Sequence, residues 1–211
     1  GEGTRGEPLL LEAAGTAGVE QGEWSEGGRR YFEYRTGTPV ALAFASARYV
    51  VARDSVNGIP IEIFHDPKHA GAVPTIMNTV KRGLAYYAQA FGPYPFESFR
   101  IFEVPRYSTA VDARAGVLAY NEGAGFFSTF GDREIDFVTA HELGHMWWGG
   151  QVRSPVLQGM YVLNETLSSY AAIMLTEHVE GRATAYAQAA ALGTQYLDLR
   201  SRQRIEELPI V

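Results

Sequence analysis

The segment HELGH at residues 141–145 constrains the fold of this chain more than any other, because its two histidines meet only if it is helical. Residues four apart lie one above the other on a helix, so His141 and His145 can present two imidazoles to one metal ion. Glu142 leaves the same helix turned by about 100°. It lies outside the ligand shell but close enough to take a proton from a metal-bound water. The motif therefore predicts a zinc site with Glu142 as general base.

A purely structural role for these histidines is the alternative. Val138 and Trp148 extend the stripe of His141 and His145 at spacings of three. We therefore expect the stripe to face the interior, where an unpaired pair of imidazoles is costly. Cysteine is absent, which leaves histidine and carboxylates as the only strong metal ligands of the chain. Both points favour the metal site.

A catalytic zinc ion has three protein ligands and one open position for water, so the motif needs one more ligand. Glu165, in LNETLSSYAAIML on the next predicted helix, is the candidate. We expect the buried stripe of that helix to comprise Leu163, Leu167, Tyr170 and Met174. Glu165 then lies on an adjoining face that can lean toward the first helix. A solvated surface carboxylate is the alternative, because most glutamates are exposed.

Apolar periodicity in the rest of the chain predicts the α+β class. Residues 31–64 contain alternating or β-branched and aromatic segments, with Asn57-Gly58 as a hairpin signal between two of them, and predict a small antiparallel sheet. Apolar residues recur every three or four positions from Val73 to Phe91, which predicts an amphipathic helix. The remaining predicted elements are a strand within residues 91–105, a strand at 116–123, and helices at about 132–149, 158–178 and 182–200.

The net charge of the chain and the length of its apolar stretches limit which partners and which location we expect. The net charge is −6 and the 18 basic residues form no run, which argues against nucleic acid as a partner. No apolar stretch approaches the roughly 18 to 20 residues that span a bilayer, so we expect the chain as given to be soluble. Residues 1–30 are rich in glycine and lack periodicity, which predicts a flexible lead-in. The absent initiator Met and the apolar ELPIV end predict a fragment.

HELGHMWWGG followed by LNET resembles the gluzincin metallopeptidases of the aminopeptidase N and leukotriene hydrolase family. In that family a zinc helix is followed by a glutamate ligand in an Asn-Glu dipeptide on the next helix. The resemblance covers roughly residues 40–200 and includes AFGPYPFESFRIFEVP and GVLAYNE. It implies a thermolysin-like zinc peptidase core, a small mixed sheet followed by a helical subdomain. His141, His145 and Glu165 would hold one zinc ion per chain, and Glu142 would be the catalytic base.

The resemblance also implies a domain organisation and a reaction. Residues 31–66 would be the end of an N-terminal β-domain or sheet, and residues 67–211 a thermolysin-like catalytic domain truncated at its C-terminus. The family tyrosine that stabilises the oxyanion lies well beyond the glutamate ligand, so we expect it outside this chain. The implied activity is aminopeptidase-like hydrolysis of a peptide substrate. A peptide-binding or sensing domain of a membrane transporter, with a retained zinc site and little turnover, is the alternative outside enzymes.

One departure from the family pattern concerns the parent protein. His145 and Glu165 are separated by one residue more than is common in the family, and Trp-Trp-Gly follows the second histidine. Both features resemble a bacterial branch in which the peptidase-like domain is fused to an ABC-transporter-type permease. The resemblance thus implies permease-type membrane segments in the parent and a membrane-associated location.

A second departure concerns specificity. Ala113, in AVDARAG, stands where the family aminopeptidases have the glutamate that binds the free α-amino group of the substrate. Asp112 and Glu122 are the available substitutes, although a loop or strand-end carboxylate without such a role is the commoner case. An endopeptidase or oligopeptidase is therefore the alternative within enzymes.

Overall fold

The predicted α+β class is confirmed: a mixed five-stranded sheet is followed by a helical region. The computed structural model describes residues 12–14, 18–37, 43, 45–106, 111–126, 131–156 and 159–203. Its strands are β1 (Glu12–Ala14), β2 (Val19–Glu26), β3 (Arg29–Arg35), β4 (Ala45–Ala47), β5 (Val50–Val56), β6 (Ile59–His65), β7 (Phe99–Val104), β8 (Asp112–Arg114) and β9 (Val117–Asn121). Its α-helices are α1 (Val73–Phe91), α2 (Asp132–Gly144), α3 (Leu167–Glu180) and α4 (Arg182–Arg202). None of these helices is long and apolar enough to cross a membrane.

The central sheet has the strand order β5-β6-β7-β9-β8. Strands β6, β7 and β9 are parallel, whereas β5 and β8 run antiparallel to their neighbours. Asn57 and Gly58, with φ of 50° and 81°, form the predicted turn between β5 and β6, because asparagine and glycine tolerate positive φ. A 3-10 helix (Pro67–Ala72) and α1 connect β6 to β7, since parallel neighbours need a crossover. The carboxyl ends of β6, β7 and β9 consequently lie at the same edge.

The N-terminal strands differ from the prediction of one antiparallel sheet over residues 31–64. Strand β3 pairs with β2 in a separate sheet, and β5 and β6 belong to the central sheet. Strand β2 also lies within the segment predicted as a flexible lead-in. Trp24 and Tyr31 stack across this hairpin with ring centroids 5.2 Å apart, and Arg30 Nε donates to Glu23 Oε1 over 2.6 Å. Strand β2 is almost wholly exposed and lacks the apolar alternation that predicts a strand, whereas most of β3 lies within the predicted strand region. The domain boundaries stay predictions.

Helix α1 joins the sheet to the other helices. Its predicted apolar stripe is confirmed: the buried members are Val73, Ile76, Val80, Leu84 and Tyr87, and Phe91 is partly buried. The Tyr87 hydroxyl donates to the Ala140 carbonyl of α2 over 3.1 Å. From the sheet side, the Tyr120 hydroxyl lies 3.1 Å from Thr139 Oγ1, also on α2. Helix α2 is thereby anchored to both α1 and β9.

Candidate metal centre and cleft

Helix α2 carries HELGH, but the side that it buries differs from the prediction. The stripe predicted to face the interior, Val138, His141, His145 and Trp148, is only half-buried. The fully buried side chains of α2 follow a different stripe, with Ile135, Thr139 and Leu143 spaced four apart. That stripe faces the core, whereas His141 and His145 are half-buried and His145 lines a cleft. The helix also ends at Gly144, five residues before the predicted end, so His145 is its C-cap residue.

Helix α3 also buries a different stripe from the one predicted. Tyr170 is 58% exposed, whereas the buried residues of α3 are Ser168, Ala171, Ala172 and Leu175. Glu165 lies in a π-helical segment (Val162–Thr166) that leads into α3, three residues before Ser168. Glu165 therefore continues the observed buried stripe of Ser168, Ala172 and Leu175, which packs on α2. The prediction had placed it on an adjoining face of the helix.

Small residues set the distance between α2 and α3. A Cβ added to Gly144 would lie 3.2 Å from Ser168 Cα and 3.3 Å from its carbonyl oxygen, closer than ordinary van der Waals contact. Glycine at this position therefore lets the two helix backbones approach each other. This approach places the predicted ligand of one helix beside the two predicted ligands of the other.

The three side chains form a group that could hold a metal ion. His141 Nε2 and His145 Nε2 lie 3.2 Å apart, and Glu165 Oε2 lies 3.3 Å from the first and 3.6 Å from the second. Ligands at about 2.0–2.1 Å from a tetrahedral zinc ion stand about 3.3–3.4 Å from one another. The triangle of donor atoms therefore has the dimensions that one zinc ion requires.

The other ring nitrogens of the histidines are held by hydrogen bonds. His145 Nδ1 lies 3.1 Å from the Trp148 carbonyl oxygen and 3.1 Å from Ser168 Oγ, and His141 Nδ1 lies 3.1 Å from Ser169 Oγ. A carbonyl oxygen only accepts, so His145 Nδ1 carries the proton and Nε2 keeps its lone pair for a metal. Neither serine was predicted as a site residue, although Ser168 and Ser169 follow Glu165 closely in LNETLSS.

Burial and nearby charge shift the pKa of two groups in the HELGH segment. Burial, and then the neighbouring His145, lower the pKa of His141, which keeps its imidazole neutral, the form that binds metals. Burial, and then the carboxylates of Glu165 and Asp112, raise the pKa of Glu142 to about 8. A cation held beside Glu142 would oppose this shift, since it favours the ionised carboxylate.

A cleft of about 570 Å³ opens at these residues. Its lining includes Glu142, His145 and Glu165 on one side and residues 111–115, which contain the edge strand β8, on the other. Ala113 and Asp112, one of the two predicted substitutes for the family glutamate, both line the cleft. Glu122, the other predicted substitute, is absent from the described lining and groups with different side chains. Another cavity, of about 590 Å³ between α1, α2, α3 and α4, includes none of the four predicted site residues.

Comparison with known proteins agrees with this architecture. Residues 75–206 match the family model of the peptidase family M1 domain. The chain is 26% identical over 185 residues to aminopeptidase N of Oryctolagus cuniculus, covering 81% of this chain and 18% of that protein. It is 24% identical over 136 residues to glutamyl aminopeptidase of Sus scrofa, covering 62% of this chain and 14% of that protein. The chain thus spans less than a fifth of the length of these relatives.

Proposed function

Because this chain belongs to peptidase family M1, we propose that it forms a zinc peptidase site in which His141, His145 and Glu165 hold one zinc ion and Glu142 is the general base. The triangle of donor atoms, with separations of 3.2, 3.3 and 3.6 Å, is the observation that supports this proposal most strongly. The open cleft beside it supports a catalytic rather than a structural zinc site, since a catalytic ion needs a position that water and substrate can reach.

The proposed reaction is hydrolysis of a peptide bond. A bound zinc ion supplies a Lewis acid that polarises the scissile carbonyl and acidifies water. Glu142 lines the cleft beside the ligands and takes the proton of the attacking water. It then passes this proton to the nitrogen of the leaving amine. Ser169 and the Trp148 carbonyl hold the histidine rings in orientation throughout.

The position at which the substrate is cut depends on the cleft wall opposite Glu142. The two relatives named above are aminopeptidases, which supports release of N-terminal residues by this chain. Ala113 supports an endopeptidase or oligopeptidase instead, because its methyl group cannot pair with an α-ammonium group. Comparing kcat/KM for a peptide and its N-acetylated form separates the two. An aminopeptidase loses most activity on acetylation, whereas an endopeptidase does not.

The alternative function is a domain that binds or senses peptides without hydrolysing them. Glu142 argues against it, because binding alone needs no general base beside the metal ligands.

Fusion of the parent protein to permease-type membrane segments is a separate proposal. It rests on the spacing between His145 and Glu165 and on the Trp-Trp-Gly segment.

Glu142→Gln tests the proposed base, because it keeps the size of the side chain and removes its ability to take a proton. Peptide hydrolysis should fall on the order of 100- to 10,000-fold, while zinc content measured by plasma mass spectrometry stays unchanged. Glu134→Gln, at an exposed position of the same helix, is the matched control and should keep full activity. A zinc-loaded Glu142→Gln protein that hydrolyses peptides at the parent rate would refute the role of Glu142.

A further inference from the structure

A second group of histidine and carboxylate side chains lies outside the cleft. His69 comes from the 3-10 helix after β6, Glu103 from β7, and Glu122 from the π-helical turn (Glu122–Phe126) after β9. Potential ligand atoms of the three side chains lie within 4.8 Å of one another. None of the three lines the cleft described above. The group forms where the carboxyl ends of the three parallel strands meet, an edge at which open α/β sheets commonly bind ligands.

The carboxylates of this group are held firmly in place. The Glu103 side chain is only 4% exposed, and its Oε2 accepts from the Asp66 amide over 2.6 Å. Glu122 Oε1 accepts from the Arg106 amide over 3.0 Å. His69 Nδ1 contacts Glu103 Oε1. Backbone amides on two different connections thus orient the two carboxyl groups toward one imidazole.

The charges of the group favour a cation. Two carboxylates that lie this close repel each other, and Glu103 has little water to screen its charge. A divalent cation bound between the two carboxylates would balance both charges. One imidazole with two carboxylates is a ligand set that suits zinc or a similar transition ion better than the all-oxygen sets that calcium and magnesium prefer.

We propose that His69, Glu103 and Glu122 form a second divalent-metal site, which binds zinc and ties together the ends of β6, β7 and β9. It shares no residue with the site of His141, His145 and Glu165. Glu122 is half-buried, and its ligand oxygen lies within 4.8 Å of the ligand atoms of His69 and Glu103. Because its ligands come from the connections after three neighbouring strands, the bound ion would stabilise the fold.

Zinc content after equilibrium dialysis of the purified chain against zinc and a weak chelator tests the proposal. The parent should hold two zinc ions per chain, Glu165→Gln and Glu122→Gln one each, and the double variant none. Glutamine at residue 122 keeps the oxygen that accepts from Arg106, so the connection should keep its shape. One zinc in the parent that Glu165→Gln removes and Glu122→Gln spares would overturn the second site. One zinc that only Glu122→Gln removes would support it and refute the proposed peptidase site instead.

A measurement that needs no substitution in the second site covers the case in which Glu122→Gln fails to fold, which circular dichroism would reveal. ¹¹³Cd nuclear magnetic resonance of the cadmium-loaded parent should show two resonances, because two sites with nitrogen and oxygen ligands differ in environment, and Glu165→Gln should keep one of them. Loss of all resonances in folded Glu165→Gln at saturating cadmium would contradict the second site.

Discussion

The two groups of histidine and carboxylate side chains differ in burial and in how the chain assembles them. In the cleft, the Glu165 side chain is 51% exposed and joins two histidines one helical turn apart. At the sheet edge, the Glu103 side chain is 4% exposed and its partners come from two other connections. A catalytic metal needs a position that substrate can reach, whereas a metal that only links elements of the fold does not. The cleft is lined by Glu142, His145 and Glu165 and by no member of the second group, which supports chemistry at the first group and stabilisation at the second.

Glu165→Gln should produce the largest effect on the cleft group, because it removes one ligand and its charge. Outer-shell substitutions weaken metal binding about 10- to 100-fold, so loss of a direct ligand should raise the zinc dissociation constant by at least about 100-fold. Competition with a chelating dye measures the change. Glu177→Gln, on the exposed side of α3, is the matched control and should leave zinc affinity unchanged.

Ser169→Ala should have the next largest effect, since it removes the hydrogen bond to His141 Nδ1. We expect zinc affinity to fall about 10-fold or more. Ser168→Ala is the matched comparison and should cost less, because His145 Nδ1 keeps its bond to the Trp148 carbonyl. Equal losses in the two variants would contradict the idea that these hydrogen bonds orient the histidines.

Gly144→Ala should weaken the cleft group through helix packing alone. The added methyl group would lie 3.2 Å from Ser168 Cα, so the two helices must separate slightly. We expect a loss of about 1–3 kcal/mol in the free energy of unfolding, with a smaller loss of zinc affinity than in Ser169→Ala. Gly193→Ala in α4 is the control: its Cβ meets nothing within 4 Å, and the substitution should stabilise the helix. Urea unfolding and zinc titration measure both quantities.

Glu122→Gln should have the smallest effect on hydrolysis, because sites that share no partners act independently. In saturating zinc, kcat/KM should stay within about twofold of the parent value, while the midpoint of thermal unfolding falls. A loss of hydrolysis as large as that of Glu142→Gln would show that the two groups are not separate in function.

The sequence predicts the cleft group much better than the group at the sheet edge. A spacing of four on a helix is a local property, so His141 and His145 could be paired from HELGH alone. Glu165 needed the family resemblance, because its place depends on how α3 packs on α2. The predicted stripe of large apolar residues on α3 was wrong, since Gly144 lets small residues pack against α2 and leaves Tyr170 exposed.

Long-range pairing limited the rest of the prediction. The Asn57-Gly58 hairpin and the α1 stripe follow from local patterns, and both are confirmed. The mixed sheet order brings Glu103 and Glu122 together although no sequence spacing links them. Strand β2 was missed because nearly all of its residues are exposed and it has no apolar alternation, whereas β3 overlaps the predicted strand region. Non-local contacts such as the one between Glu103 and Glu122 leave no periodic signal.

Anomalous diffraction at the zinc absorption edge tests the proposed zinc site without any substitution, because it locates the ion itself. From crystals grown with zinc, we expect a peak about 2.0–2.1 Å from His141 Nε2, His145 Nε2 and Glu165 Oε2. If zinc-loaded, folded protein gives no peak between these three atoms, they do not form a metal site, and the proposed peptidase mechanism is wrong.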